Sequence, residues 1–168
     1  MELTKTERAI IANQNRILSY LDNANSESYL HKAEIAERGY EGLYDELFKN
    51  IYEGISKEVC DETHDILTMY RGINNFISSL TNEQKDALDL AKIRFEGFDA
   101  NNNDHYYFMK FIVEKADLYE EYKDAYLNSH SIASLRKYKR MLPIYTQAIE
   151  ANNHQLNLAG LQAIIAGA

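Results

Sequence analysis

Asp99, Asn101, Asn103 and Asp104 set oxygen-bearing side chains at near-alternate positions in one short stretch, "FEGFDANNNDHYYF" at residues 95–108. Oxygens at near-alternate positions are how an EF-hand loop wraps calcium. That loop also needs glycine at its sixth position, for the sharp turn, and glutamate at its twelfth, for two more oxygens. Counted from Asp99, those positions hold Asp104 and Lys110. A lysine there would repel the ion. The stretch therefore reads as a turn, built from residues that tolerate left-handed backbone, with Asn103 or Asp104 capping the helix that follows.

Cys60 and His64 lie four apart and share a helix face. Such a pair can hold zinc or act as nucleophile and base, but zinc needs two further ligands, and no HExxH or CxxC occurs. At about 100° per residue both point away from the apolar stripe of their helix, so they read as a solvated histidine and a bystander thiol. Glu58, Asp61, Glu62 and Asp65 precede the same stripe. Paired carboxylates can do acid–base work, yet acids in a first turn answer the helix dipole. Asp65 lies too deep for that and is expected to be partly buried, paired with an arginine such as Arg8 or Arg71. "LRKYKRML", residues 135–142, is the one basic cluster. Tyr138 among Arg136, Lys137, Lys139 and Arg140 could stack a base, but the cations fall away from Leu135, Tyr138 and Leu142, as on a solvated helix face. No GxGxxG, P-loop or GxSxG occurs, and no cofactor or metal is implied.

These residues must be positioned by helices. Proline occurs once and glycine seven times in 168 residues, 45% of them apolar, and valine is scarce; that mix suits helices over strands. The length predicts one domain over 1–168, large enough to bury a core without staples. A formal charge of −8 disfavours binding to nucleic acid or anionic lipid. The single cysteine excludes an internal disulfide. "MELTKTERAI" lacks the pattern of a signal peptide, and no run approaches the ~18 apolar residues that span a membrane. A cytosolic protein is expected.

The periodicity predicts an all-α bundle of about seven helical segments around a long central helix at 57–80, whose stripe includes Ile66, Met69, Tyr70 and Ile73. Thr4 and Glu7 have capping-box spacing at the head of a helix over 5–21, where Ile10, Ile11, Ile17, Leu18 and Leu21 keep helical spacing and Asn13 and Gln14 interrupt them. Ser26 can cap a second helix ending at Gly39; a third covers about 41–52. Thr81 and Gln84 form another capping box. Helices are expected over 104–122, from Ser131 onward with a kink or split at Pro143, and around 155–165, where the surface is apolar. Thirteen tyrosines are many for this length; at helical spacing they are mostly core or core-edge, with hydroxyls reaching water, and a surplus at the surface would instead suit protein–protein contact.

Several of these pieces occur together: "LTKTERAIIANQNRILSYL", "EIAERGYEGLYDEL", "DILTMYRGI", "FEGFD" and "YKRML". In this order the chain resembles the YfbU family of uncharacterised bacterial proteins, over nearly its whole length. The resemblance implies an all-helical bacterial cytosolic protein and brings no assigned activity, cofactor or substrate. Three functional readings follow. The leading one is a non-enzymatic interaction or regulatory protein that self-associates or meets another protein. The second is an enzyme whose site gathers Arg8, Asn13, Gln14, Tyr40, Asp65 and Asp99. The third, disfavoured, is a nucleic-acid binder through residues 136–140.

Overall fold

The computed structural model describes residues 2–168. Its regular structure among those residues is helical, with eight α-helices joined by short 3₁₀ turns. Backbone contacts divide the chain into two compact units, Met1–Gly54 and Ile55–Ala168.

In the first unit, α1 (Lys5–Leu21) starts as its capping box dictates. Thr4 Oγ1 accepts the Glu7 N–H at 3.2 Å, and the Glu7 carboxylate accepts the Thr4 N–H at 2.8 Å. A 3₁₀ turn at Asn23–Asn25 leads into α2 (Ser26–Arg38), so Ser26 opens that helix rather than capping it. Gly39 closes α2 in the left-handed region at φ 69°. The expected third helix condenses to a 3₁₀ turn, Glu41–Leu43, and a single turn, α3 (Tyr44–Phe48). Gly42 explains the shortening, since glycine costs a helix interior about 1 kcal/mol.

α1 and α2 pack as a hairpin, and what they bury is mostly small: Ala12 and Ser19 on α1, Ala33 and Ala36 on α2, with Ile35 the one large side chain. Small side chains let helix axes approach closely. The bulkier residues Ile10, Ile17, Leu18 and Leu21 are left exposed.

The second unit is built on α4 (Lys57–Ser79), about 35 Å long at 1.5 Å per residue. Ser56 caps it, and Ile66, Leu67, Met69, Tyr70 and Ile73 are buried along it. α5 (Asn82–Asp86) keeps the Thr81–Gln84 capping box but lasts little more than one turn, giving way to a 3₁₀ segment at Leu90–Ile93. α6 (Asp104–Glu114) and α7 (Ile132–Glu150) pack against α4, and α8 (Leu158–Gly167) packs on α7. Phe98, Met109, Tyr138, Met141, Leu161 and Ile164 complete the core.

Two expectations are corrected here. α6 stops at Glu114, not near 122, because the Leu118 N–H turns back to the Ile112 carbonyl and Asp117 takes φ 51°. α7 runs unbroken through Pro143. The carbonyl that proline leaves unbonded is that of Lys139 four residues back, and both residues are exposed. The apolar α8 buries Leu161 and Ile164 in the core.

Candidate functional site

Four of the six residues of the enzymatic reading lie in the first unit. Arg8 is half-buried, and its guanidinium lies over the left-handed turn: a Cβ on Gly39 would stand 1.8 Å from its Nη1. Its Nε is buried without a hydrogen-bond partner. Arg8 and Asn13 line a shallow cleft of about 260 Å³ with Lys5 and Glu37. Gln14 and Tyr40 do not line it, and Asn13, Gln14 and Tyr40 are exposed.

In the second unit Asp65 departs from its expected place. It sits on the exposed side of α4 and makes no ion pair or hydrogen bond among the described residues. Arg71 pairs instead with Glu121, through two bonds of 2.6 and 3.0 Å. The reason is the early stop of α6: the chain after it crosses back over α4. Tyr119, in a left-handed conformation, places its ring under Arg71 at 4.5 Å and its hydroxyl 3.0 Å from His64 Nδ1. His64 is therefore a packed residue, edge-on to Phe108 at 5.3 Å, and not a solvated one.

Asp99 is 4% exposed, but its carboxylate serves its own turn. It accepts the Asn101 N–H at 2.9 Å and the Asn102 amide at 2.7 Å. These two donors, the backbone one foremost, hold its pKa below the ordinary carboxylate value. Asn103 stands at the head of α6 with no side-chain bond to the helix and instead accepts the Asp99 N–H at 3.3 Å. The turn's oxygens thus face its own donors.

The preceding residues form a backbone clamp. The Phe98 N–H donates to Leu127 O at 2.9 Å and the Ser129 N–H to Phe98 O at 3.0 Å, an isolated parallel bridge. The Asn128 side chain adds bonds to the Ala100 and His130 N–H groups. Gly97 sits at φ 82°, and a Cβ there would lie 2.1 Å from the Leu127 carbonyl oxygen. Tyr138 locks the clamp from α7: its hydroxyl accepts the Glu96 N–H at 2.9 Å and donates to Gly97 O at 3.0 Å.

A family model described as the YfbU domain matches residues 1–167 of the 168. The chain belongs to the YfbU family. Membership brings no chemistry, because the family is uncharacterised. The YfbU-like segments have evident structural tasks: Gly39 ends α2, and "FEGFD" is the clamp with its turn.

One polar cluster of this YfbU chain escaped the sequence reading. His105, 5% exposed, stacks on Phe98 and bonds Glu62 through Nε2 at 2.7 Å. Lys139 Nζ reaches the same Glu62 oxygen at 2.9 Å. Burial pushes the Glu62 pKa up, but the Lys139 and His105 bonds outweigh it and hold the carboxyl below its usual value. The signal was available: Glu62 is four residues before Ile66 and His105 four before Met109, so each continues an apolar stripe. A further oxygen, Ser134 Oγ, donates to Glu96 at 2.8 Å.

The basic helix is largely spent on the protein itself. Lys137 bonds Glu96 at 3.3 Å and Arg94 O at 3.2 Å, Lys139 bonds Glu62, and Arg140 bonds Gly167 O at 3.3 Å. Among the described residues no helix is long and apolar enough to cross a membrane.

Proposed function

We propose that this is a non-enzymatic interaction protein that self-associates, with α1 as the pairing element. The orientation of α1 carries the proposal. Ile10, Ile17 and Leu21 are 51, 58 and 77% exposed. With Gln14 they are spaced four, three and four residues apart, the alternation of a coiled-coil seam. At about 100° per residue the four fall within roughly 60° of one another. Leu18 and Tyr20 flank the seam and are exposed as well. Among the described residues, ten of the sixteen large apolar side chains left exposed belong to Met1–Gly54, so the unexplained apolar surface is concentrated there.

The spacing reads the same from either end. Two antiparallel copies set Ile10 opposite Leu21 and Ile17 opposite Gln14, as a two-fold axis requires. A second copy is thus the occupant the seam fits. Gln14 then faces the apolar Ile17 of the second copy, a polar group without a mate that weakens the seam. The exposure of Ile10, Ile17 and Leu21 amounts to roughly two side chains per copy, on the order of 3–6 kcal/mol if fully buried. Over two copies that is roughly 6–12 kcal/mol, about the size of the 4–15 kcal/mol cost of association, so the seam alone supports weak pairing.

Sedimentation of the full chain tests the seam by two opposite changes. Ile17→Glu is expected to abolish association, and Gln14→Leu to tighten it about tenfold or more. Equal sedimentation of both variants and wild type would remove the proposal.

The catalytic reading has less support, since the oxygens of Asp99 are already bonded and Asp65 has no partner among the described residues. Nucleic-acid binding loses three of its four cations to internal bonds. A reduced, cytosolic setting is proposed alongside, in keeping with the single, half-buried Cys60.

A further inference from the structure

A cleft of about 890 Å³ lies wholly in the second unit. That is within the range of small-molecule sites, roughly 300–1,000 Å³. Asn74 and Ile77 of α4 form one wall, Leu90 to Glu96 a second, and Glu121 to Tyr126 the third. Phe95 and Tyr122 supply aromatic surface, their centroids 5.0 Å apart. Tyr122 is 5% exposed, and its hydroxyl is buried with no hydrogen-bond partner. Burial also pushes its pKa up, so the hydroxyl stays a donor at neutral pH.

The charges at the rim resolve to one free cation. Glu121 is held by Arg71, and Glu96 by Lys137 and Ser134. The Arg94 guanidinium makes no ion pair or hydrogen bond among the described residues; only its backbone carbonyl is engaged, by Lys137. A protein of net charge −8 thus offers, beside an aromatic-floored cleft, an unpaired guanidinium. Guanidinium groups bind carboxylates through two parallel N–H bonds, and aromatic rings pair with rings in offset or edge-on contact.

We propose that this cleft binds a small aromatic carboxylate, its ring against Phe95 and Tyr122 and its carboxylate on Arg94. The site is separate from the α1 seam, so it stands or falls independently of self-association.

The test is calorimetric titration of the full chain with 1-naphthoate as the probe, and with 1-naphthalenemethanol as its uncharged counterpart. One saturable site is expected for naphthoate. Arg94→Gln, a change at an exposed side chain, should weaken naphthoate about tenfold and leave the alcohol unchanged. Ala125→Trp, which fills the cleft from an exposed position on its wall, should abolish both. Circular dichroism confirms that each variant is folded. No saturable heat up to millimolar naphthoate overturns the proposal, as does binding that neither substitution alters.

Discussion

Replacing Gly97 with alanine puts a methyl group where the clamp has no space. The residue sits at φ 82°, and the added Cβ would stand 2.1 Å from the Leu127 carbonyl oxygen and 2.4 Å from its carbon. Left-handed backbone costs an L-residue about 1–2 kcal/mol. The neighbour is backbone, so it cannot swing aside as a side-chain end would. The segment at 127–129 must retreat, weakening the bonds from Phe98 N–H to Leu127 O and from Ser129 N–H to Phe98 O, each with a net worth of about 1 kcal/mol. The expected loss for Gly97→Ala is about 3–4 kcal/mol, a large share of the 5–15 kcal/mol typical of a domain. Urea unfolding followed by far-ultraviolet circular dichroism measures it. Gly54→Ala is the control: nothing lies within 4 Å of its Cβ and its φ is not positive, so it should leave the midpoint nearly unchanged. A Gly97→Ala midpoint matching the control would refute the clamp as the structure draws it.

Three further outcomes follow from the same second unit. Tyr138→Phe leaves the Glu96 N–H and Gly97 O without their partner and should cost about 2 kcal/mol in urea unfolding. Glu62→Gln should cost about 2 kcal/mol near neutral pH, because hydrogen bonds to charged groups are worth about 1.5–3 kcal/mol. The folded pKa of Glu62 is depressed, so its contribution is complete above the unfolded value of about 4.3. That contribution is lost as pH falls from there through the folded value; the difference between wild type and variant should shrink in that acid window, and a constant difference would show that the carboxylate charge is not its source. Arg71→Ala removes the paired bonds to Glu121 and the contact over Tyr119. Amide hydrogen exchange at residues 119–122 should then quicken while α4 stays protected.

Local chemistry was legible in the sequence, and orientation was not. The Thr4–Glu7 and Thr81–Gln84 boxes and the Gly39 stop are set by residues within one turn of each other, and all stand where their spacing places them. The face that α1 buries depends on α2: the alanines there admit Ala12 and Ser19 closely, and no property internal to α1 specifies that choice. The end of α6 shows the same limit. Residues 115–119 carry no glycine or proline, so periodicity runs on through a turn that Asp117 and Tyr119 make in left-handed conformations. That turn sets Tyr119 and Glu121 against α4, which is why His64 is packed and Arg71 is not Asp65's partner. Of the candidate residues, Asp99 was singled out by its spacing, but its engagement by Asn101 and Asn102 depends on the loop's full course. Glu62 and His105 lay in plain view on apolar stripes, and only their convergence with Lys139 showed them to be a cluster.

The central claim, that α1 pairs with α1 of a second copy, is tested most directly by molar mass. Light scattering of the full chain, with concentration raised from about 1 µM to about 1 mM so that weak pairing is reached, should show wild type climbing from the 19.4 kDa of one chain toward twice that mass. Ile17→Glu, with unchanged helix content, should hold at the single-chain value throughout. Truncating residues 155–168 is a poorer probe, because it strips Leu161 and Ile164 from the core. A wild type that stays at 19.4 kDa across the series, indistinguishable from Ile17→Glu, would contradict the account.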